Sequence, residues 1–177
     1  DENWTMDYAP SEDAIRLNEL YSDRTAFHGE FHDHADTGGK SDGKANLPRI
    51  KEYMDARGLD FTTILDHHQI LHMELPEWDS KLFIGGSEMG TIIYDKKIDG
   101  NKPHVNMIFT DAEKFKNLMY MHKPSSGHPG FTFGVDEESG NEYYGEHQWN
   151  TAEFTQLIAD IKACGGMYVF PHPKDGT

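Results

Sequence analysis

The feature that most constrains the fold is a short apolar stretch that ends abruptly in charge. The stretch "LDFTTILDHH" occupies residues 59–68, is rich in β-branched residues and closes with the triplet Asp66-His67-His68. A run of this length and composition is typical of a buried strand. A charged triplet at the end of such a strand is costly to bury unless the charges have partners. The stretch therefore predicts a buried strand whose end carries a polar site.

Strand-like and helix-like patterns alternate along the chain. A helix is predicted over 47–57, where apolar residues recur on one face. The predicted strands are 25–32, 59–68, 81–90, 104–109 and 167–173, and the other predicted helices are 11–21, 111–121 and the segment between Asn150 and Gly165. Such alternation is typical of parallel βαβ units. Residues 123–150, in contrast, are predicted to form a long inserted loop.

Composition and charge exclude several classes of protein. The chain has 177 residues, enough for one domain with its own core. Its formal net charge of −15 repels long polyanions, so general nucleic-acid binding is not expected. No apolar run of about 18 residues occurs, so no membrane span is expected. The 11 histidines are a high count for this length and favour a metal site.

The cellular compartment stays open on the sequence alone. The single cysteine, Cys164, excludes an internal disulfide framework. The sequence starts at Asp1 rather than at methionine, which favours a processed and exported chain over a cytoplasmic one. The oligomeric state is not indicated.

Two histidines in "FHGEFHDH" have the spacing of a shared ligand pair. In a strand, residues i and i+2 point to the same side, about 7 Å apart. His32 and His34 can therefore reach one ion together, whereas Asp33 points the other way. The structural alternative is a pair of surface histidines on an edge strand.

Four further features repeat this theme at strand ends. They are the triplet at 66–68, Glu88 in "GGSEMG", His104 at the start of "HVNMIF" and His172 in "FPHP". Each alone also has a structural reading: a helix cap with solvated histidines, a hydrogen-bond acceptor, or satisfied core histidines. Active sites of parallel α/β folds collect at the carboxyl ends of strands. Together the features therefore predict one site at that edge of the sheet.

In this order the motifs resemble the PHP (polymerase and histidinol phosphatase) family of metal-dependent phosphoesterases, over about residues 27–173. The resemblance implies an α/β fold, a distorted and TIM-like (β/α)7 barrel with up to three metal ions at its C-terminal rim. It implies a PHP-like domain over 27–177 after a flanking segment, 1–26. The family's late Asp-x-His segment does not follow "PHPKDG" before Thr177. We therefore expect a barrel that is truncated at its C-terminal end, with about five of its strands.

The resemblance also implies a set of metal ligands from strand ends and the turn "SDG". The implied ligands are His32, His34, Asp42, His67, Glu88, His104 and His172. His32 and His34 would hold the first ion, and Glu88 would bridge the first and second. His104 and His172 would complete the second site.

The third ion and the catalytic residues are implied in the same way. Asp42 and His67 would hold this ion, although Asp42 follows His34 by eight residues, a longer gap than is usual in the family. Asp36 is the alternative ligand. Asp66 would support the ligands or assist proton transfer, and His68 would face the substrate. No residue is assigned to substrate binding.

The remaining histidines are expected outside the ligand set. By strand alternation His28 shares the face of His32 and is expected to pack deeper along the strand, behind the ligands. The others are expected at the surface, and they are His72, His122, His128 and His147.

The implied enzyme is a hydrolase of a small phosphomonoester or phosphodiester. Mixed histidine and carboxylate ligands are compatible with zinc, manganese and iron and do not distinguish among these metals. Two or three divalent ions are expected. Ions that share Glu88 would lower the pKa of a water, and the bridging hydroxide would attack phosphorus. Two alternatives stay open. One is a metal hydrolase of the amidohydrolase type, which also begins with His-x-His on a barrel strand, and the other is a non-catalytic metal-binding module.

Overall fold

The computed structural model describes residues 21–93, 104–122 and 147–171, with shorter pieces at 133–135, 137, 138, 140 and 142–144 and single positions at 12, 15, 16 and 19. In these residues the strands are β1 (Gly29–Asp33), β2 (Phe61–Ile64), β3 (Phe83–Ile93), β4 (His104–Phe109), β5 (Phe133–Val135), β6 (Glu142–Tyr144), β7 (His147–Trp149) and β8 (Met167–Val169). The α-helices are α1 (Leu47–Arg57), α2 (Ala112–Met121) and α3 (Thr151–Ala163), and a short 3-10 helix spans Leu71–Glu74.

The first helix forms where its caps and apolar face predict it. The Asn46 side chain accepts a hydrogen bond from the Arg49 backbone N–H, and this satisfies one donor of the first turn. Gly58 ends the helix with φ of 64°, a conformation that glycine adopts without strain. Leu47, Ile50 and Met54 are buried on one face. The prediction of a helix over 47–57 is confirmed.

The two later helices also begin at side-chain caps. Asp111 accepts hydrogen bonds from two backbone N–H groups at the start of α2. Asn150 and Glu153 form a reciprocal capping box at the start of α3. Both helices were predicted from the sequence. The predicted helix over 11–21 lies largely outside the described residues, although positions 12, 15, 16 and 19 are helical.

The sheet is mixed, with strands in the order β1-β2-β3-β4-β8. The pairs β1–β2 and β2–β3 are parallel, and the pairs β3–β4 and β4–β8 are antiparallel. The strand β7 runs parallel to the last part of β3. The strands β5 and β6 form a separate two-stranded sheet, so the prediction of residues 123–150 as a loop missed three short strands.

The prediction of a (β/α)7 barrel is wrong. The described part of the chain is a half-barrel whose sheet has five strands along its path, with three α-helices. A parallel pair needs a long crossover connection, usually a helix. Only residues 94–103 connect β3 to β4, and these strands pair antiparallel from Gly85–Phe109 to Gly90–His104. Strand and helix patterns alternate in the sequence, but they do not fix the direction in which each strand runs.

The helices cover the outer side of the half-barrel through two apolar clusters. The larger cluster joins β3 and β4 to α2 and α3, with Met89, Met107, Phe115 and Leu157 fully buried. The smaller cluster joins α1 to β2 and includes Ile64. The polar residues of the strands therefore lie on the opposite side of the sheet. No helix in the described part of the chain is both long and apolar enough to cross a membrane.

The larger cluster provides a stability test on a single helix. Met119 of α2 is fully buried, whereas Met121 is 62% exposed. We expect Met119→Ala to lower the free energy of unfolding by about 2–5 kcal/mol, because it removes buried apolar surface and leaves a cavity. We expect Met121→Ala to change it by less than about 0.5 kcal/mol. Urea unfolding of both variants measures the difference, and equal losses would contradict the placement of α2.

Candidate metal centre

The first strand carries an irregularity at the point where the two paired histidines sit. Its register with β2 shifts by one residue between Glu30 and Asp33, as in a β-bulge. The Glu30 carboxylate accepts hydrogen bonds from the backbone N–H groups of Phe31 and His32, at 2.9 and 3.2 Å. His32 and His34 still meet, with their Nε2 atoms 3.0 Å apart. The structure thus brings the two histidines together, although the strand is not a regular one.

Glu88 lies in the middle of the polar side of the sheet. It pairs across the ladder with Asn106 of β4, and directly opposed residues in such a ladder share a face. On its other side Glu88 forms a parallel bridge with His67, just beyond the end of β2. Gly86, two residues before Glu88, permits the close approach of β4 to β3, because a Cβ at this position would clash with the Met107 carbonyl oxygen. The Glu88 side chain is only 2% exposed.

The first group of possible metal ligands is His32, His34 and Glu88. The Glu88 Oε2 atom lies 3.0 Å from Nε2 of His32 and 3.1 Å from Nε2 of His34. Ligand atoms that bind zinc at about 2.0–2.2 Å stand about 3–3.5 Å from one another. The three atoms therefore already have the mutual spacing of a metal's ligands, and the mixed nitrogen and oxygen donors fit a divalent transition metal.

The second group is His34, Asp42 and His67. The Asp42 carboxylate lies 3.5 Å from Nδ1 of His34 and 3.6 Å from Nε2 of His67. The structure thus brings Asp42 to the histidines in spite of its distance in sequence. The alternative ligand, Asp36, is exposed and its backbone N–H donates to the Ala45 carbonyl. His34 belongs to both groups, once through each ring nitrogen.

His104 completes the described part of the centre. Its Nδ1 atom lies 2.7 Å from Oε1 of Glu88, the carboxylate oxygen that does not contact His32 and His34. The two oxygens of Glu88 therefore face different histidines. His172, the other predicted ligand of the second ion, lies outside the described residues.

The charges of the centre shift the pKa values of its members. Burial raises the pKa of Glu88, but hydrogen bonds with His104 and His34 and the charge of His32 lower it more, so it lies well below its ordinary value. Burial lowers the pKa of His34, but the hydrogen bond and charge of Glu88 raise it above its ordinary value. The pKa of His67 is lowered, by burial and then by the charge of His34. A neutral His67 is the form that can bind an ion.

These shifts predict how the stability of the metal-free protein depends on pH. The lowered pKa of Glu88 stabilises the fold above pH 4.5, and this contribution is lost as the pH falls through the folded-state pKa. The raised pKa of His34 stabilises the fold below pH 6.5, and this contribution is lost as the pH rises through the folded-state pKa. Together these two groups therefore stabilise the fold most between pH 4.5 and 6.5, whereas the lowered pKa of His67 acts in the opposite direction and removes stability as the pH falls below 6.5. Urea unfolding in the presence of chelator measures the balance.

The matching control is Glu88→Gln, which removes the titrating carboxylate of Glu88 and with it the main cause of the raised pKa of His34. We expect the alkaline decline in its stability to become smaller, because the weaker effects of Asp42 and Asp66 on the pKa of His34 remain. The loss of stability on the acid side should become smaller but should not disappear, because the pKa of buried Asp66 is also lowered. Burial raises the pKa of Asp66, but His72 and the hydrogen bonds from Thr37 and Ala35 lower it more. An unchanged alkaline decline in Glu88→Gln would contradict the pairing of Glu88 with His34.

The two predicted catalytic residues have different surroundings. Asp66 is fully buried, and its carboxylate accepts hydrogen bonds from the backbone N–H of Ala35 at 2.7 Å and from the Thr37 hydroxyl at 2.5 Å. His68 follows His67 with φ of 55°, a left-handed conformation that costs a non-glycine residue energy. The rings of His67 and His68 have centroids 6.2 Å apart. A role in proton transfer or substrate contact remains a prediction for both.

Sequence reasoning missed His72 and misplaced His28. His72 was predicted at the surface, but it is fully buried, with Nδ1 3.1 Å from a carboxylate oxygen of Asp66. The apolar neighbours in "ILHM" were the available signal. His28 was predicted to pack beneath the ligands, but it is exposed. Of the other histidines predicted at the surface, His122 is partly buried beside Asp160.

The predicted ligands within the described residues thus come together at one place, around Glu88. The proteins available for comparison add nothing to this observation: no model of a protein family and no curated protein sequence matches the chain. The likeness to the PHP family therefore rests on the motifs of the chain itself.

Proposed function

We propose that the chain is a metal-dependent phosphoesterase that hydrolyses a small phosphomonoester or phosphodiester. One observation carries the proposal. Ring nitrogens of four histidines surround the buried carboxylate of Glu88, three of them within 3.5 Å of Oε2 and the fourth 2.7 Å from Oε1. These are His32, His34, His67 and His104. A buried carboxylate with separate nitrogen donors on each oxygen is suited to bridge two ions.

The residues of the centre would hold the ions and set their charge. His32, His34 and Glu88 would bind one ion, and Glu88 with His104 would contribute to the next. When bound, divalent ions supply a water of lowered pKa and positive charge for a phosphate group. Glu88 and Asp42 offset part of that charge. This local positive charge explains how a chain of net charge −15 would accept an anionic substrate.

The side chain of Asn106 lies next to the ring of His32. Its amide nitrogen Nδ2 lies 3.4 Å from Nδ1 of His32, whereas Nε2 of the same ring faces Glu88. A histidine that binds an ion through Nε2 carries its proton on Nδ1, and that proton needs an acceptor. Asn106 is 2% exposed, and its Oδ1 has no hydrogen-bond partner among the described residues. Turned by 180°, the amide would place Oδ1 at Nδ1 of His32 and provide this acceptor. The amide would thereby fix both the tautomer and the orientation of His32.

A second candidate function is a metal-binding module without catalysis. One observation favours it: the two groups with three possible ligands in the described part of the chain share His34. A shared ligand limits how tightly two ions are held at once. Such a module would bind a metal but would not turn over a phosphate ester.

The experiment is elemental analysis followed by assays on the metal-loaded protein. We expect more than one transition metal per chain after purification without chelator, and hydrolysis of a phosphate ester that requires manganese or zinc. Metal binding without hydrolysis would favour the module. Hydrolysis of amides or lactones in place of phosphate esters would favour the amidohydrolase type. Full phosphatase activity of metal-free protein would contradict the proposal.

A further inference from the structure

We propose that Gln69 and the buried pair Asp66–His72 are positioning residues that fold the loop of residues 35–45, so that Asp42 reaches His34 and His67. This inference rests on the proposed metal site. It concerns the long gap between His34 and Asp42, which the ligand motifs alone do not explain. The structure bridges this gap with side chains from the segment that follows β2.

Asp66 holds the beginning of the loop. One of its carboxylate oxygens accepts the backbone N–H of Ala35, the residue directly after His34. The other accepts the hydroxyl of Thr37 and lies 3.1 Å from Nδ1 of His72. Asp66 and His72 are both fully buried, so these hydrogen bonds are shielded from water. The backbone that carries His34 is thereby tied to the end of β2.

Gln69 holds the middle of the loop with all of its amide groups. Its Nε2 donates to the Thr37 hydroxyl at 3.0 Å and to the Gly38 carbonyl at 2.8 Å. Its Oε1 accepts the backbone N–H of Lys40 at 2.9 Å. Gln69 is 1% exposed, so it acts as a buried template onto which the loop folds. Lys40 lies only two residues before Asp42.

The last part of the loop, residues 41–45, also makes close contacts with its first residues. The backbone N–H of Asp36 donates to the Ala45 carbonyl at 2.8 Å, and the Ser41 hydroxyl donates to the Ala35 carbonyl. A Cβ on Gly43 would lie 2.4 Å from the His34 carbonyl oxygen, so a side chain cannot stand there. Asp42 is therefore brought to the histidines by a closed loop that has few other ways to fold.

A side chain that only stabilised the protein would affect all bound ions alike. The hydrogen bonds of Gln69 end on the loop that carries Asp42 and not on β3 or β4. Loss of Gln69 should therefore weaken the ion held by Asp42 and His67 and spare the ion held by His32 and Glu88. Outer residues that orient metal ligands are typically worth about 10–100-fold in affinity.

The test uses Zn²⁺ titrations of the wild-type chain, Gln69→Leu and Asp42→Asn. Each bound Zn²⁺ ion should give its own phase in the titration. The phase that is lost in Asp42→Asn belongs to the ion held by Asp42. We expect Gln69→Leu to weaken that phase by about 10–100-fold and to change the other by less than about threefold. Gln69→Glu keeps an acceptor for Lys40 but loses both donors, so its affinity should be intermediate. Gln156→Leu is the control, because Gln156 is exposed on α3 and its amide donates a hydrogen bond to Asp160 of the same helix.

A second measurement works without metal. We expect hydrogen exchange at the Lys40 amide of the metal-free protein to become at least about tenfold faster in Gln69→Leu, and to stay near the wild-type rate in Gln69→Glu. An unchanged Lys40 rate in Gln69→Leu, or equal weakening of both zinc phases, would overturn the inference. A wild-type chain that binds no zinc would overturn the proposed function instead, and the exchange rates would still decide whether Gln69 holds the loop.

Discussion

Glu88→Gln is expected to reduce phosphatase turnover and metal content together. Glutamine keeps the size of the side chain but lacks the charge that two ions would share. Because Glu88 is almost fully buried, no water layer can replace that charge. The loss should exceed the roughly 10–100-fold that removal of a residue outside the ligand set costs. Steady-state assays with added manganese or zinc, and elemental analysis of the same preparation, measure both effects.

The control for this variant is Glu113→Gln. Glu113 is exposed in the first turn of α2, where its carboxylate lies beside Lys116, and it belongs to neither group of possible ligands. Its substitution should therefore leave turnover and metal content unchanged. Circular dichroism should show that Glu88→Gln retains the fold. If Glu88→Gln keeps its turnover and its metal, Glu88 is only a structural hydrogen-bond acceptor and the model of a shared carboxylate fails.

The helices were predictable because their signals are local. Asn46, Asp111 and Asn150 are caps that the sequence shows directly, and each is followed by apolar residues on one face. The strand directions were not predictable in the same way. The stretch "HVNMIF" is almost fully buried in β4, and a buried strand has the same composition in a parallel as in an antiparallel pair. The short connection over 94–103, without a helical pattern, was the signal against a parallel crossover.

The candidate site was predictable to the extent that its residues lie at strand ends. His32, His34, His67, Glu88 and His104 come together because those strands are neighbours in the sheet. The side chains that hold the loop of residues 35–45 in place were not predictable. The contact of His72 with Asp66 and the template formed by Gln69 depend on how a loop folds in three dimensions, and no periodic pattern records this. The motif also gave no sign of the irregularity in β1 between Glu30 and Asp33.

Substitution of His34 is expected to affect both ions of the centre. His34 is the residue common to both groups of possible ligands, with Nε2 toward Glu88 and Nδ1 toward Asp42. We expect His34→Gln to weaken both phases of Zn²⁺ binding and to abolish measurable phosphatase turnover. His32→Gln should weaken mainly the phase of the Glu88 ion, and Asp42→Asn mainly the other. The comparison of these three variants separates a shared ligand from a ligand of one ion.

Proton release provides an independent measure of the same residue. In the metal-free protein the raised pKa of His34 keeps both ring nitrogens protonated at a higher pH than usual, and an ion that binds one nitrogen must displace its proton. A second ion on the other nitrogen would displace the remaining proton as well. Zinc affinity of the wild type should therefore fall as the pH drops below the raised pKa. Calorimetry in buffers of different ionisation enthalpy should detect fewer released protons in His34→Gln than in the wild type. His122→Gln is the control, because His122 lies beside Asp160 of α3. A variant His34→Gln that loses only one zinc phase would show that the two ions do not share this histidine, and that the second ion takes its nitrogen from His67 alone.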